Sequence, residues 1–161
     1  MELRSATPDD AEATRLIYNL EVETSTVTFD LRPRSVAEQR AWLAERSGAL
    51  SALVAVDDDE VVGFASISPF RDRPGYSTSV EDSVYVHRAH QGQGVGRSLL
   101  GGIVEAALAS GFHAVFARIV AGHDASIALH AGRGFEVVGT EREVGRKFGR
   151  WHDVVVMEKL L

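Results

Sequence analysis

Apolar positions along the chain switch between a period near two and a period near 3.6, and the switches predict alternating strands and helices. Leu3 to Ala6 reads as a short strand. Thr7-Pro8-Asp9-Asp10 then predicts a helix start: a capping threonine, proline at the first position and two acids at the positive end. That helix runs to about Glu23, and a polar segment follows from Thr24 to Pro33. Ser35 with Glu38 forms a capping-box pattern ahead of a second helix through about Arg46. Ser51 to Val56 and Val61 to Ser68 flank the acidic run Asp57 to Glu60 as an antiparallel pair around a solvated turn. Pro69 to Gly75 is a breaker-rich loop, and Thr78 to Val86 is the next strand. Leu99, Leu100, Ile103, Val104, Ala107 and Leu108 recur at helical spacing and stop near Gly111. Ala114 to Val120 is a strand, Asp124 to Ala131 a short helix, and Phe135 to Val138 and Val154 to Leu160 the last strands. The order β-α-α-β-β-β-α-β-α-β-β predicts a mixed α/β sheet covered by helices.

A chain of 161 residues with 45% hydrophobic residues suits one domain with a sizeable core. No repeat, linker or low-complexity tract divides it. Cysteine is absent, which excludes disulfides, thiolate metal sites and a cysteine nucleophile. The opening MELRSATPDD lacks the apolar run of a leader, and no stretch approaches the ~20 apolar residues that span a bilayer. The expected compartment is the cytoplasm, with no membrane partner. A net charge of −6 argues against a nucleic-acid binder. It leaves room for an anionic ligand, because His87, Arg88, His90 and Arg97 surround a glycine-rich loop.

That loop is Gln91-Gly92-Gln93-Gly94-Val95-Gly96-Arg97-Ser98, between a strand and an amphipathic helix. Free amides at a helix start, glycines that admit close approach and one arginine suit a diphosphate. The glycines alone leave a plain strand-to-helix turn equally open. A Rossmann frame fails, because its third glycine falls on Arg97, and no lysine supplies a Walker frame. Gln91, Gly94 and Gly96 do form Q-x-x-G-x-G, and here the chain resembles the GNAT superfamily of acetyl-CoA-dependent N-acetyltransferases. The resemblance implies a mostly antiparallel sheet of about seven strands with helices on both faces. It also implies that residues 91 to 98 hold the coenzyme A diphosphate and that the Val84-Tyr85-Val86 backbone pairs with the pantetheine arm. Gly134-Phe135 after the later helix matches the family ending.

Three further stretches are similar to the phosphinothricin acetyltransferase branch: Glu23 to Val27, Val80 to Val86, and Gly149 to Asp153. The branch implies acetylation of the α-amino group of a small amino acid or analogue, such as phosphinothricin, methionine sulfoximine or methionine sulfone. It also implies a homodimer and no metal. His87-x-x-His90 and His123-Asp124 match no dedicated metal spacing, and no G-x-S-x-G elbow supports a hydrolase.

Acetyl transfer to an amine requires a neutral amine, a polarised carbonyl and a protonated leaving thiolate. The resemblance makes Glu81 the candidate base; read alone it is better taken as a solvated strand carboxylate. Asp82 falls on the opposite face of the strand and ranks below it. His130 shares a helix face with Ser126 and takes the position where many relatives carry a proton-donating tyrosine; a packed histidine is the open alternative. His123 stands where the family has asparagine, with Asp124 able to take over the cap and His123 and Ser126 as cofactor contacts. Arg71 and Arg73, with Tyr76, are the candidate carboxylate binders, and Phe29 the apolar wall for the acceptor. Lys147 and Trp151 precede the last strand, in a region that reaches the site or a dimer partner in related enzymes. A peptide or protein amino group as acceptor, and a non-catalytic coenzyme A module, remain alternatives.

Overall fold

The computed structural model describes residues 1–161. Seven strands form one sheet: β1 (Glu2–Ser5), β2 (Ala52–Asp57), β3 (Glu60–Pro69), β4 (Ser79–Val86), β5 (Ala114–Val120), β6 (Glu136–Lys147) and β7 (Arg150–Leu160). Their order is β1-β2-β3-β4-β5-β7-β6, and every pairing is antiparallel except β4 with β5. Four helices cover it: α1 (Ala11–Thr24), α2 (Val36–Ala44), α3 (Val95–Ala109) and α4 (Asp124–Ala131). No helix is long and apolar enough to cross a membrane.

The two faces of the sheet carry different cores. On one face Ile17, Tyr18 and Val22 of α1 pack on Val54 and Phe64. On the other, Leu99, Leu100 and Ile103 of α3 lie against Ala65, Ile67, Val80, Val115 and Ala117, with Phe135 and Met157. Strand alternation sorts the residues between them. The predicted helix starts form largely as expected. Ser35 and Glu38 make the reciprocal capping box, with Glu38 N–H donating to Ser35 Oγ at 3.1 Å and Ser35 N–H to Glu38 Oε2 at 2.7 Å. At the first helix, Pro8–Asp10 is a single 3-10 turn, and the Asp10 carboxylate accepts from Thr7 N–H at 2.8 Å.

Two strands are longer than the sequence predicts. Phe135 to Val138 extends into β6 as far as Lys147, and the final strand starts at Arg150 rather than Val154. The added part is a polar, exposed hairpin that turns through Phe148 and Gly149, both with positive φ. Its register shifts between Val137 and Gly139 and again between Glu141 and Gly145. An edge strand with one solvated side and two irregularities carries no clean period of two, so its hydrophobic pattern does not announce it.

This hairpin meets the polar segment after α1. The ring of Phe29 lies over Gly145, where an added Cβ would stand 2.2 to 2.7 Å from three ring carbons. Lys147 is buried, at 3% exposure, and its Nζ donates to the Thr28 carbonyl at 2.8 Å. Gly145→Ala is therefore expected to push Phe29 off its seat. Overpacking of this kind costs about 1–3 kcal/mol, which for a chain of this size is a loss of roughly 3–10 °C in Tm by calorimetry. An unchanged Tm would mean that Phe29 is free to move.

Candidate active site

Strands β4 and β5 pair over three rungs only: Ser79 with Ala114, Val80 with Val115, and Glu81 with Phe116. Past that point β4 stays with β3 as far as Val86, and β5 stays with β7 as far as Val120. The two strands separate and a cleft opens between them. His87 N–H donates to the Val62 carbonyl at 2.8 Å, which fixes the alternation of the β4 backbone. The main-chain groups of Asp82, Val84 and Val86 then face away from β3 and into the gap. Gln91 Nε2 donates to the Val86 carbonyl at 3.3 Å across its open end.

The cleft leads into a cavity of about 450 Å³. One wall comes from α1 and the segment after it, with Tyr18, Glu21, Val27, Phe29 and Arg34; the opposite wall comes from α4, with His123, Ser126 and His130. Glu81 to Val86 run along its floor, beside Ala117 to Val120. The structure thus brings Glu81, His130, His123, Ser126, Phe29, Val84, Tyr85, Val86 and Gln91 to one cavity.

The glycine loop sits at the mouth. Gly92 has φ +73° and Gly94 φ +87°, in the left-handed region that glycine adopts at little cost, and nothing stands within 4 Å of either missing Cβ. Gly94 caps α3, and Ser98 N–H donates to its carbonyl at 3.0 Å. The amides of Val95, Gly96 and Arg97 precede that first helical bond and donate to no main-chain acceptor, so they point out of the helix start. Gln93 Nε2 donates to the Ala89 carbonyl at 3.0 Å and braces the turn. The Arg97 side chain is exposed, while its carbonyl accepts from Arg133 at 2.7 Å. An anion with several oxygens suits this set of donors.

The two neighbouring carboxylates of β4 have opposite surroundings. Glu81 lies on the α1 side, half-buried. Burial pushes its pKa up, partly offset by the positive charge of Arg118. Arg118 is itself bound to Glu141 at 2.7 Å, so Glu81 stays without a salt bridge. Asp82 lies on the α4 side, 5% exposed, with Oδ2 at 3.0 Å from His130 Nε2. His130 is 4% exposed, its Nδ1 is 2.7 Å from the Ser126 carbonyl, and its ring meets Phe135 edge-on. Burial pulls the His130 pKa down, but the Asp82 carboxylate outweighs it and the net shift is upward. Asp82 lies on the face opposite Glu81, as strand alternation predicts, but the sequence reading did not supply its partner, His130. The signal was there: Val80, Asp82, Val84 and Val86 form the core-facing row of β4, and an acid in an apolar row needs a buried partner.

His123 is the residue before α4 and lines the cavity, but its side chain does not cap the helix. Nor does Asp124, which is the first helical residue. His123 Nε2 instead meets Thr26 Oγ1 at 2.8 Å and ties α4 to the segment after α1. Sequence reasoning also misses Tyr18, Thr28, Asp30 and Arg34 on that wall. Tyr18 hydroxyl bonds to Thr28 Oγ1 at 3.0 Å and to the Asp30 carboxylate, and burial pushes its pKa up to about 12. The Arg34 guanidinium stacks 4.0 Å from the Tyr18 ring centroid. Tyr85 stacks on Phe64 and meets Tyr18 edge-on, and burial raises its hydroxyl as well. Arg71, Arg73 and Tyr76 are exposed and outside the cavity lining. They lie on the loop after β3, where Arg71 stacks on Phe70 and Tyr76, and Phe70 stacks at 4.2 Å on Phe116, the β5 partner of Glu81.

A family model for the GNAT acetyltransferase domain matches residues 3–156. The phosphinothricin N-acetyltransferase of Streptomyces coelicolor is 39% identical over 165 aligned positions, covering 100% of this chain and 96% of that protein. Among solved structures, a ribosomal-protein-alanine N-acetyltransferase from Brucella melitensis superposes with a TM-score of 0.98 at 41% identity over 100% of both chains. A phosphinothricin acetyltransferase from Sinorhizobium meliloti, solved in complex with AcCoA, gives 0.95 at 36% identity, covering 99% of this chain and 88% of its own. The likeness thus covers the whole chain length, and the protein belongs to the GNAT acetyltransferase family as one of its N-acetyltransferases.

Proposed function

We propose that this chain transfers acetyl from acetyl-CoA to the α-amino group of a small amino acid or analogue, by direct attack in a ternary complex. The observation that carries the reading is the wedge between β4 and β5: a half-buried, unpaired carboxylate at its apex and free amides at its mouth. The residues fit the cofactor. Gly92 and Gly94 leave open space where side chains would stand, and the β4 edge offers main-chain partners to an extended amide-bearing arm.

Acetyl-CoA supplies, when bound, a thioester whose carbonyl carbon takes the amine and whose sulfur departs. The amides from Val95 to Arg97 and the Arg97 guanidinium hold the diphosphate. Val84 and Val86 orient the arm through the strand edge, and the same row of amides faces the oxygen on which charge develops. Glu81 removes one proton from the acceptor ammonium and so frees its lone pair. The nitrogen gives up a second proton as the amide forms, and His130 supplies one to the departing sulfur. One acetyl group moves and one net proton is released. Phe29 and Tyr85 shape the acceptor end. Arg71 and Arg73 take the acceptor carboxylate, from a rim that Phe70 anchors beside Glu81. The exposed apolar side chains of the β6–β7 hairpin, Val144, Phe148 and Trp151, support a homodimer.

A peptide N-terminus is the second reading, favoured by the Brucella melitensis neighbour. Acceptor screening with a thiol-release assay separates the two. Phosphinothricin, methionine sulfoximine and methionine sulfone should release coenzyme A, and their carboxyl amides should react at least tenfold more slowly. Faster turnover of any peptide N-terminus would overturn the amino-acid assignment.

Glu81→Gln should lower kcat by about 100-fold or more, as loss of a general base does. Its acetyl-CoA affinity by calorimetry should stay within about twofold. The sign of the pH effect follows from burial. Glu81 is protonated below its raised pKa, so the wild-type acid limb of kcat/KM lies above that of an exposed glutamate, and the variant loses the limb. An unchanged kcat would remove Glu81 from the chemistry. Gly94→Ala forces a left-handed alanine at a cost of about 1–2 kcal/mol. Acetyl-CoA should then bind roughly 5- to 30-fold more weakly as the loop relaxes, by the same calorimetry.

A further inference from the structure

We propose that Asp82 is a positioning residue that holds His130 as a doubly protonated imidazolium on the cavity wall. The proposal rests on the acetyl-transfer reading only for its kinetic consequence. The geometry stands by itself. A backbone carbonyl accepts and cannot donate, so the contact of Ser126 O with His130 Nδ1 at 2.7 Å puts a proton on Nδ1. An ionised carboxylate likewise only accepts, so Asp82 Oδ2 at 3.0 Å puts a second proton on Nε2. Both ring nitrogens are then donors, and the pair is a charged couple sealed at 4% and 5% exposure.

The surroundings supply no competing charge. Core residues of the neighbouring elements on this face are apolar: Val95, Leu99 and Ile103 from α3, Ala117 and Ile119 from β5, Met157 from β7, and Phe135 after α4. Glu81 and Arg118 occupy the alternate row of their strands and face the other side of the sheet, where Glu141 joins Arg118. On α4 itself Asp124 lies at the exposed start, Arg133 beyond the end is turned to the Arg97 carbonyl, and Lys159 of β7, on the same face, is held by the Arg133 carbonyl at 2.6 Å. Asp82 is the charged group that acts on His130, with the Ser126 carbonyl pulling in the same direction against burial.

The couple is also incomplete. Asp82 lines the cavity, and its second oxygen, Oδ1, is buried with no hydrogen-bond partner. A buried carboxylate oxygen left bare is costly, so this atom is the acceptor for an N–H or O–H of whatever fills the cavity. Such a donor shares the Asp82 charge and loosens its hold on the Nε2 proton. That proton is then available to a departing thiolate.

The direct test is NMR of the ligand-free protein with ring-labelled histidine, His130 being assigned by its loss in His130→Gln. His130 should be doubly protonated at pH 7, with a midpoint above the ordinary value of about 6.5. Asp82→Asn should lower that midpoint by at least one pH unit. Asp82→Ser gives the same comparison if the asparagine disturbs folding. In kinetics, Asp82→Asn should lower kcat about tenfold at pH 8 with the acetyl-CoA KM within twofold, and should cost nothing further in a His130→Gln background. A neutral His130 at pH 7, an unmoved midpoint, or full additivity in the double variant would overturn the proposal. The NMR arm needs no acceptor, so its result stands apart from the fate of the acetyl-transfer reading.

Discussion

The early end of the parallel ladder between β4 and β5 sets the rest of the site. A strand that leaves one neighbour while still paired to another exposes a row of main-chain donors and acceptors. Here both strands are held from outside, β4 by β3 through Val86 and β5 by β7 through Val120, so the gap cannot close by re-pairing. Every position then follows from where the ladder stops. Glu81 occupies the last paired rung and lies at the apex. Val86, five residues on, marks the mouth, roughly 17 Å away at strand rise. The chain passes from β4 through one 3-10 turn into the glycine loop, and from β5 into α4, so the amides and the histidine arrive on the rims of the same opening.

Two adjacent acids on β4 show how strand alternation divides chemistry. Glu81 projects toward the α1 side, loses more to desolvation than Arg118 returns, and becomes a weaker acid. Asp82 projects into the α3–α4 core and pairs with His130. One carboxylate is left without a salt bridge while its neighbour pairs with a buried histidine on the opposite face, and the Asp82 charge adds to the rise of the Glu81 pKa.

The cavity wall formed after α1 is assembled from distant parts of the chain. Thr26 meets His123, the Thr28 carbonyl accepts from Lys147, and Phe29 rests on Gly145. Burial pulls the Lys147 pKa down, as expected for an ammonium enclosed beside the segment it holds. The polar stretch between α1 and α2 owes its shape to these ties rather than to any local turn signal. The shape of that wall is therefore coupled to the β6–β7 hairpin.

The order of strands and helices was legible in the residues, because burial on a sheet or along a helix imposes periods of 2 and 3.6 that the apolar positions display. So was the glycine loop, since left-handed backbone at Gly92 and Gly94 and an uncovered helix start leave glycines at fixed offsets. The acid in the apolar row of β4 was written there too, although its partner was not. What the linear pattern does not hold is pairing over long separations. His130 lies 48 residues from Asp82, Lys147 lies 119 from the Thr28 carbonyl, and no local spacing encodes either contact. Arg71, Arg73 and Tyr76 sit outside the cavity lining because the loop after β3 ends on the surface over Phe116, a placement that only the packed sheet decides. The hairpin past Val138 was equally hidden, for most of its residues face solvent and answer to cross-strand hydrogen bonds rather than to burial. Sequence alone determined which segments are ordered and what could hold a diphosphate. Tertiary structure decided which acid is free, which is paired, and what encloses the acceptor, because those outcomes depend on desolvation and charge contributed by residues far apart in the chain.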